Sequence, residues 1–193
     1  MKRLLVVVLM CAFVLAAAPA TANAHVMKQH RAAYMKLLAG YPKEWTQWDN
    51  AWNIEAGILT DLNADMQAAI TAGDRARLTA DETQADGMAQ TLGTWLADSL
   101  PNLDRQLTSL TNERVTWFKS KSDKAAFRLG MGGVKSGFDT LFTQSFGDLV
   151  VAADDLHNQD FPDYITEDQN SSTYEGWATS YFDNGMATLK KLL

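Results

Sequence analysis

Apolar side chains recur every three or four residues along most of this chain, and no stretch shows sustained apolar–polar alternation. The first spacing places apolar residues on one face of an α-helix, whereas strict alternation would indicate a β-strand. The longest stripe covers residues 42–72 and consists of Trp45, Trp48, Trp52, Ala56, Leu59, Leu62, Met66 and Ile70. The pattern therefore predicts an all-α protein.

Glycine and proline divide this pattern into five to six predicted helices. They cover residues 26–38, 42–72, 74–100, 101–129 and 134–157, and a last one follows residue 172. Breaks are expected at residues 40–42, at residues 73–74, at Pro101 and at residues 130–133, because glycine ends helices and proline cannot continue them. The polar, acidic residues 158–171 predict a loop, and Ser172 with Glu175 has the spacing of a capping box. Long helices with short joints predict an up-and-down bundle in one domain, residues 25–193.

The first residues predict a cleavable signal peptide, residues 1–24. Lys2 and Arg3 precede an unbroken apolar run over residues 4–18, which is shorter than the roughly 20 residues of a membrane-spanning helix. Small residues follow, and Ala-x-Ala patterns allow cleavage after Ala22 or after Ala24. We therefore expect a periplasmic or secreted protein with no transmembrane segment after cleavage.

Cleavage would change both the cysteine count and the charge. Cys11 is the one cysteine of the chain, so the mature protein would have no disulfide and no thiolate-bound metal or cluster. It would keep 15 of the 17 basic residues and all 23 acidic ones, for a net charge of −8. A net acidic protein argues against nucleic acid and anionic lipid as partners, because both bind basic patches.

Cleavage after Ala24 would also make His25 the first residue. An amino terminus next to its own imidazole is a good copper(II) ligand set, and a histidine in third place, after cleavage at Ala22, is another. His30 is a further candidate ligand one turn later. A di-iron bundle needs two Glu-x-x-His pairs, and this chain has one similar pair, Asp154 with His157. Any cofactor is unknown.

The densest aromatic region of the sequence is the candidate binding site for a small ligand or a partner. It comprises Tyr34, Tyr41, Trp45, Trp48 and Trp52. Core packing is the alternative interpretation, because aromatic residues at helical spacing commonly fill an interior. Tryptophan and tyrosine are also favoured anchors in interfaces and ligand grooves.

Two further segments superficially resemble ligand sites, one for phosphate and one for calcium. Residues 130–136 resemble a phosphate loop only superficially, because Val134 replaces the glycine before Lys135 and no strand precedes them. The acidic residues around 154–168 lack calcium-binding spacing and predict a solvated loop. With no recognisable catalytic arrangement, the sequence favours a non-enzymatic protein that binds a protein partner, as an accessory of an envelope or secretion assembly. The alternative is a helical bundle that binds a small ligand or copper.

Overall fold

The computed structural model describes residues 26–193, and these are almost entirely helical. A 3-10 turn, Lys28–His30, leads into α1, Arg31–Ala72, and α2 covers Arg75–Arg114. A second 3-10 turn, Val115–Trp117, precedes α3, Lys121–Thr140. α3 continues through a π-helical segment, Leu141–Ser145, into α4, Phe146–His157, and α5 covers Phe161–Lys190. The all-α prediction is confirmed.

The predicted count of five to six helices is wrong, because three predicted joints lie inside helices. α3, the π-helical segment and α4 form one continuous rod, so the described residues build four rods. Pro42 is inside α1 and Pro101 is inside α2. Tyr41 and Trp45 are buried on both sides of Pro42, so the apolar contacts of the helix continue across it and outweigh the backbone hydrogen bond that proline removes.

The actual joints carry clear local signals. Gly73 adopts the left-handed conformation with φ 69°, and the Asp74 carboxylate accepts a hydrogen bond from the Arg77 N–H at 3.1 Å. Phe118 is extended, and Ser120 caps α3 by accepting from the Asp123 N–H at 2.9 Å. This joint interrupts the helix that was predicted over residues 101–129.

α5 begins eleven residues earlier than the predicted capping box. Asp160 caps it by accepting from the Asp163 N–H at 3.3 Å, and Pro162 occupies its first turn. Ser172 and Glu175 therefore lie inside a helix, and the predicted loop over residues 158–171 shrinks to the turn between His157 and Phe161. Gln159 allows this turn by adopting a φ of 58°.

Neighbouring rods run antiparallel around a single apolar core. The Tyr34 hydroxyl at the start of α1 donates to the Leu189 carbonyl at the end of α5 at 2.8 Å. Arg77 at the start of α2 forms an ion pair with Asp65 near the end of α1 at 2.7 Å. Phenylalanines from α3, the π-helical segment and α4 fill the centre of the core, and five of the six most buried aromatic side chains are phenylalanine.

α3 and α5 approach each other most closely at glycines. A Cβ atom added to Gly133 would lie 2.7 Å from the Gly185 Cα atom, and one added to Gly185 would lie 2.5 Å from the Val134 nitrogen. Gly130 and Gly137 lie on the same face, against Leu189 and Phe182. Residues 130–133, predicted as a helix break, are instead part of the contact surface between two rods.

The first described residues are pinned to the joint between α2 and α3. Val26 forms an isolated antiparallel bridge with Phe118, and the Met27 N–H donates to the Trp117 carbonyl at 2.9 Å. The predicted signal peptide and His25 lie outside the described residues. Within residues 26–193, no helix combines the length and apolar character that crossing a membrane requires.

Candidate functional site

The five aromatic residues predicted as a binding site lie together on the face of α1 that packs against the other rods. Tyr34, Tyr41, Trp45 and Trp52 are buried, with exposed fractions of 0–8%, and Trp48 is half-buried. Trp45 stacks on Phe182 of α5 with ring centroids 4.4 Å apart. Trp48 packs against Trp95 of α2 at 5.0 Å and against Phe142 at 5.2 Å. Core contacts therefore account for the position of every one of these tryptophan rings.

The polar atoms of these aromatic residues are also used inside the bundle. The Trp52 indole N–H donates to the Ser171 hydroxyl at 2.9 Å, and Ser171 exchanges hydrogen bonds with Ser145. Burial raises the pKa of Tyr41 to about 12, and burial also raises the pKa of Tyr34. A neutral, hydrogen-bonded tyrosine stabilises a core and is a poor general base at neutral pH. A ligand or partner role for the five residues stays a prediction.

His30, the second predicted metal ligand, packs on an aromatic ring. Its imidazole stacks on Trp117 with centroids 5.1 Å apart and planes 7° apart, while the Arg114 guanidinium lies 5.2 Å from the centre of the same ring. Among residues 26–193, no three His, Cys, Asp or Glu side chains are grouped so that they would hold a metal ion. A copper site would thus depend on His25, outside the described residues, and stays a prediction.

Two carboxylates at the contact between α4 and α5 have unusual surroundings. Partial burial, assisted by Glu167, raises the pKa of Asp148 to about 6. Burial also raises the pKa of Asp155 to about 6, with contributions from Asp163 and Asp160. The Oδ2 atoms of Asp148 and Asp155 are buried without a hydrogen-bond partner in the described part of the chain. The contact therefore shifts the titration of both carboxyl groups toward neutral pH.

The acidic character of this region extends over a long stretch of sequence. Residues 136–189 contain no Lys or Arg, and His157 is their only basic side chain. They contain ten acidic residues: Asp139, Asp148, Asp154, Asp155, Asp160, Asp163, Glu167, Asp168, Glu175 and Asp183. α4 and all of α5 except Lys190 lie in this stretch, so the hairpin they form is strongly acidic.

One pair of aromatic side chains on this hairpin faces solvent. Trp177 of α5 is 38% exposed and packs edge-to-face on Tyr174 with ring centroids 5.2 Å apart. Tyr181, one turn later, is half-buried on the same face. We call Tyr174, Trp177 and Tyr181 the α5 aromatic surface. The sequence did not single it out, because α5 was predicted to start at residue 172 and its inward face was unknown.

The best-defined concavity of the described residues is a small open groove between α2 and α3. Its volume is about 140 Å³ and its lining includes Thr108, Asn112, Arg128 and Lys135. Typical small-molecule sites are roughly 300–1,000 Å³. Lys135 is already paired with Asp104 and Asp139. The groove therefore offers little room and no free lysine.

No family model, no curated protein and no solved structure matches this chain.

Proposed function

We propose that this protein is an exported, non-enzymatic binding protein that holds a protein partner on the α5 aromatic surface. The observation that carries the proposal is the solvent-facing Trp177, packed edge-to-face on Tyr174 with ring centroids 5.2 Å apart. Tryptophan and tyrosine dominate binding energies because they bury a large area and lose few rotamers on binding. A side chain already held in place by its neighbour loses even less.

The charge around this surface indicates the chemistry of the partner. The surface lies within the stretch of ten acidic residues that has no Lys or Arg. A partner segment rich in arginine or lysine would meet an attractive field on approach, and its guanidinium groups would stack on the exposed rings. The expected partner is therefore a basic protein segment.

The first experiment locates the contact. A photo-crosslinking amino acid at exposed Ser180, one turn from Trp177, is expected to capture the partner in cells. The same probe at exposed Gln47 on α1 is the matched control and is expected to capture no specific protein. Equal capture at both positions would mean that the α5 aromatic surface is not the interface.

The second experiment measures the captured partner with purified protein. Trp177→Ala is expected to weaken binding by about 30-fold, since truncating an interface hot spot costs about 2 kcal/mol. Ile54→Ala removes another exposed apolar side chain, 61% exposed on α1, and should leave the affinity unchanged. Circular dichroism confirms that both variants are folded. Unchanged binding by Trp177→Ala would exclude the proposed surface.

A further inference from the structure

The fold gathers most basic residues of the chain at one end of the bundle. This basic end consists of residues 26–38, 112–130 and 187–193, where α1 and α3 begin and α2 and α5 end. It contains two acidic residues, Glu113 and Asp123. Its ten basic residues are Lys28, Arg31, Lys36, Arg114, Lys119, Lys121, Lys124, Arg128, Lys190 and Lys191. The linear sequence hides this cluster, because its members come from three separate segments.

The positive charge of the basic end is available to a partner. Eight of the ten basic side chains are exposed, and Arg114 and Lys124 are half-buried. The ion pairs within residues 26–193 involve Arg77 and Lys135, and none of the ten. Set against the ten basic residues, the two acidic residues leave a side-chain charge of 10 − 2 = +8 at this end.

The opposite end carries the opposite charge. Residues 59–88 and 148–168 contain thirteen acidic residues against Arg75 and Arg77. The bundle is therefore an electric dipole along its long axis. A negatively charged surface attracts the basic end and repels the acidic end, so it would orient the molecule end-on.

Apolar side chains distinguish a membrane from other anionic partners. Met35 beside Lys36 is 54% exposed, and Leu129 beside Arg128 is 64% exposed. Trp117 is half-buried at the same end. Tryptophan and apolar side chains next to basic residues are typical of segments that lie at the headgroup boundary of a bilayer, whereas a sugar–phosphate backbone offers them no apolar environment.

The chain segment that follows the apolar run also joins the bundle at its basic end. Val26 is bridged to Phe118, which lies within the basic end. Residues 19–25 separate Val26 from the apolar run over residues 4–18. While that run enters a bilayer during export, the basic end is the part of the bundle tethered closest to the headgroups.

From these observations we propose that the basic end docks on an anionic phospholipid bilayer. Phosphate headgroups contact the lysines and arginines, Met35 and Leu129 reach the headgroup boundary, and the acidic end points away from the membrane. This surface is separate from the α5 aromatic surface, so membrane binding and partner binding are tested independently of each other.

The test is co-sedimentation of the exported protein with vesicles of phosphatidylcholine alone or with 30% phosphatidylglycerol. We expect binding to the anionic vesicles at 50 mM salt and its loss at about 0.5 M salt, because salt screens the charges. Any contribution of a retained apolar segment is present with both vesicle types and cancels in the comparison. Equal binding to neutral and anionic vesicles would overturn the proposal.

A pair of charge-matched variants locates the surface. The first changes four exposed lysines of the basic end: Lys119→Gln, Lys121→Gln, Lys190→Gln and Lys191→Gln. The control makes the same change in net charge elsewhere: Lys43→Gln, Arg75→Gln, Arg77→Gln and Arg105→Gln. Since each basic residue near an anionic bilayer strengthens binding by about five-fold, the first variant should bind at least about 100-fold more weakly and the control should bind normally.

Two results would contradict this assignment. Equal losses in both variants would mean that only the net charge matters and that the basic end has no special role. Binding of a 20-base-pair DNA duplex as tight as binding of anionic vesicles at the same salt would show a general polyanion site instead of a membrane surface.

Discussion

Gly132 and Gly133, adjacent on α3, are expected to respond to alanine substitution in opposite directions. Gly132 is exposed, and a Cβ atom there would meet nothing within 4 Å. A Cβ atom on Gly133 would lie 2.7 Å from the Gly185 Cα atom and 2.9 Å from its nitrogen. Both residues are inside the same helix, so the intrinsic helix preference of alanine is common to both and only the contact with α5 differs.

The magnitudes follow from these distances. Alanine stabilises an exposed helix interior by about 0.5–1 kcal/mol relative to glycine, which is the expected gain for Gly132→Ala. Gly133→Ala must push backbone atoms of α5 outward by about 0.7 Å to reach ordinary contact at 3.4 Å. Overpacking of this kind costs about 1–3 kcal/mol, and fixed backbone atoms favour the upper end. We expect a net loss of about 2 kcal/mol.

Urea titration and thermal unfolding measure both variants directly. For a domain of this size, 1 kcal/mol shifts Tm by about 2–4 °C, so Gly132→Ala should raise it by about 3 °C and Gly133→Ala should lower it by about 6 °C. Gly185→Ala should resemble Gly133→Ala, and the double variant should lose less than the sum, because the first substitution already separates the helices. Stabilisation by both single substitutions would refute the close α3–α5 contact.

Two further predictions concern the contact between α4 and α5. Because the pKa values of Asp148 and Asp155 are raised to about 6 in the folded state, the stabilisation from their protonation is complete below the unfolded pKa of about 4 and is lost as pH rises through 6. The free energy of unfolding should therefore rise on acidification from pH 7.5 to pH 5, and less so in Asp148→Asn; a fall over that window in urea titrations would contradict this. Ser171→Ala leaves the Trp52 indole N–H without its partner and removes the hydrogen bond to the Ser145 carbonyl, and it should cost about 2 kcal/mol. The loss should be smaller in a Trp52→Phe background, and additive losses in that double-mutant cycle would argue against the hydrogen bond.

The fold class could be predicted because every long segment repeats the same helical spacing. Trp45, Trp52, Leu59 and Met66 follow one stripe and are all buried. The continuation of helices through Pro42 and through residues 130–133 could not be predicted from local rules. Burial of residues on both sides of a proline, and close packing of glycines against another helix, depend on partners that are distant in sequence.

Two joints did have local signals that the sequence interpretation missed. Ser120 three residues before Asp123 is a typical helix start, and Asp160 followed by Pro162 is another. The apolar stripe of residues 101–129 continues across the first of these joints, and the polar run of residues 158–171 extends past the second. Polar composition made the first turns of α5 look like a loop, although Tyr164 is buried there.

For the candidate site, the sequence predicts which residues share a helix face but not what that face contacts. The sequence predicted that Trp45, Trp48 and Trp52 share one face of a helix and placed Tyr34 in a separate helix, but periodicity alone gives no indication whether that face meets a core or a partner. Trp177 is the opposite case, because its exposure follows from where the α3 glycines contact α5. A partner surface therefore becomes visible only after the helices are packed.

The net charge of the chain does not predict the charge of a particular surface, because that also depends on how the helices pack. A chain with 17 basic and 23 acidic residues suggests a protein that avoids anionic surfaces. In an up-and-down bundle, however, residues at the start of one helix and the end of the next meet at the same end, and here those segments carry most of the basic residues. The quantity that decides attraction to a bilayer is the local charge within about one Debye length, roughly 10 Å, of the contact. At the basic end that charge is strongly positive, although the molecule as a whole is negative.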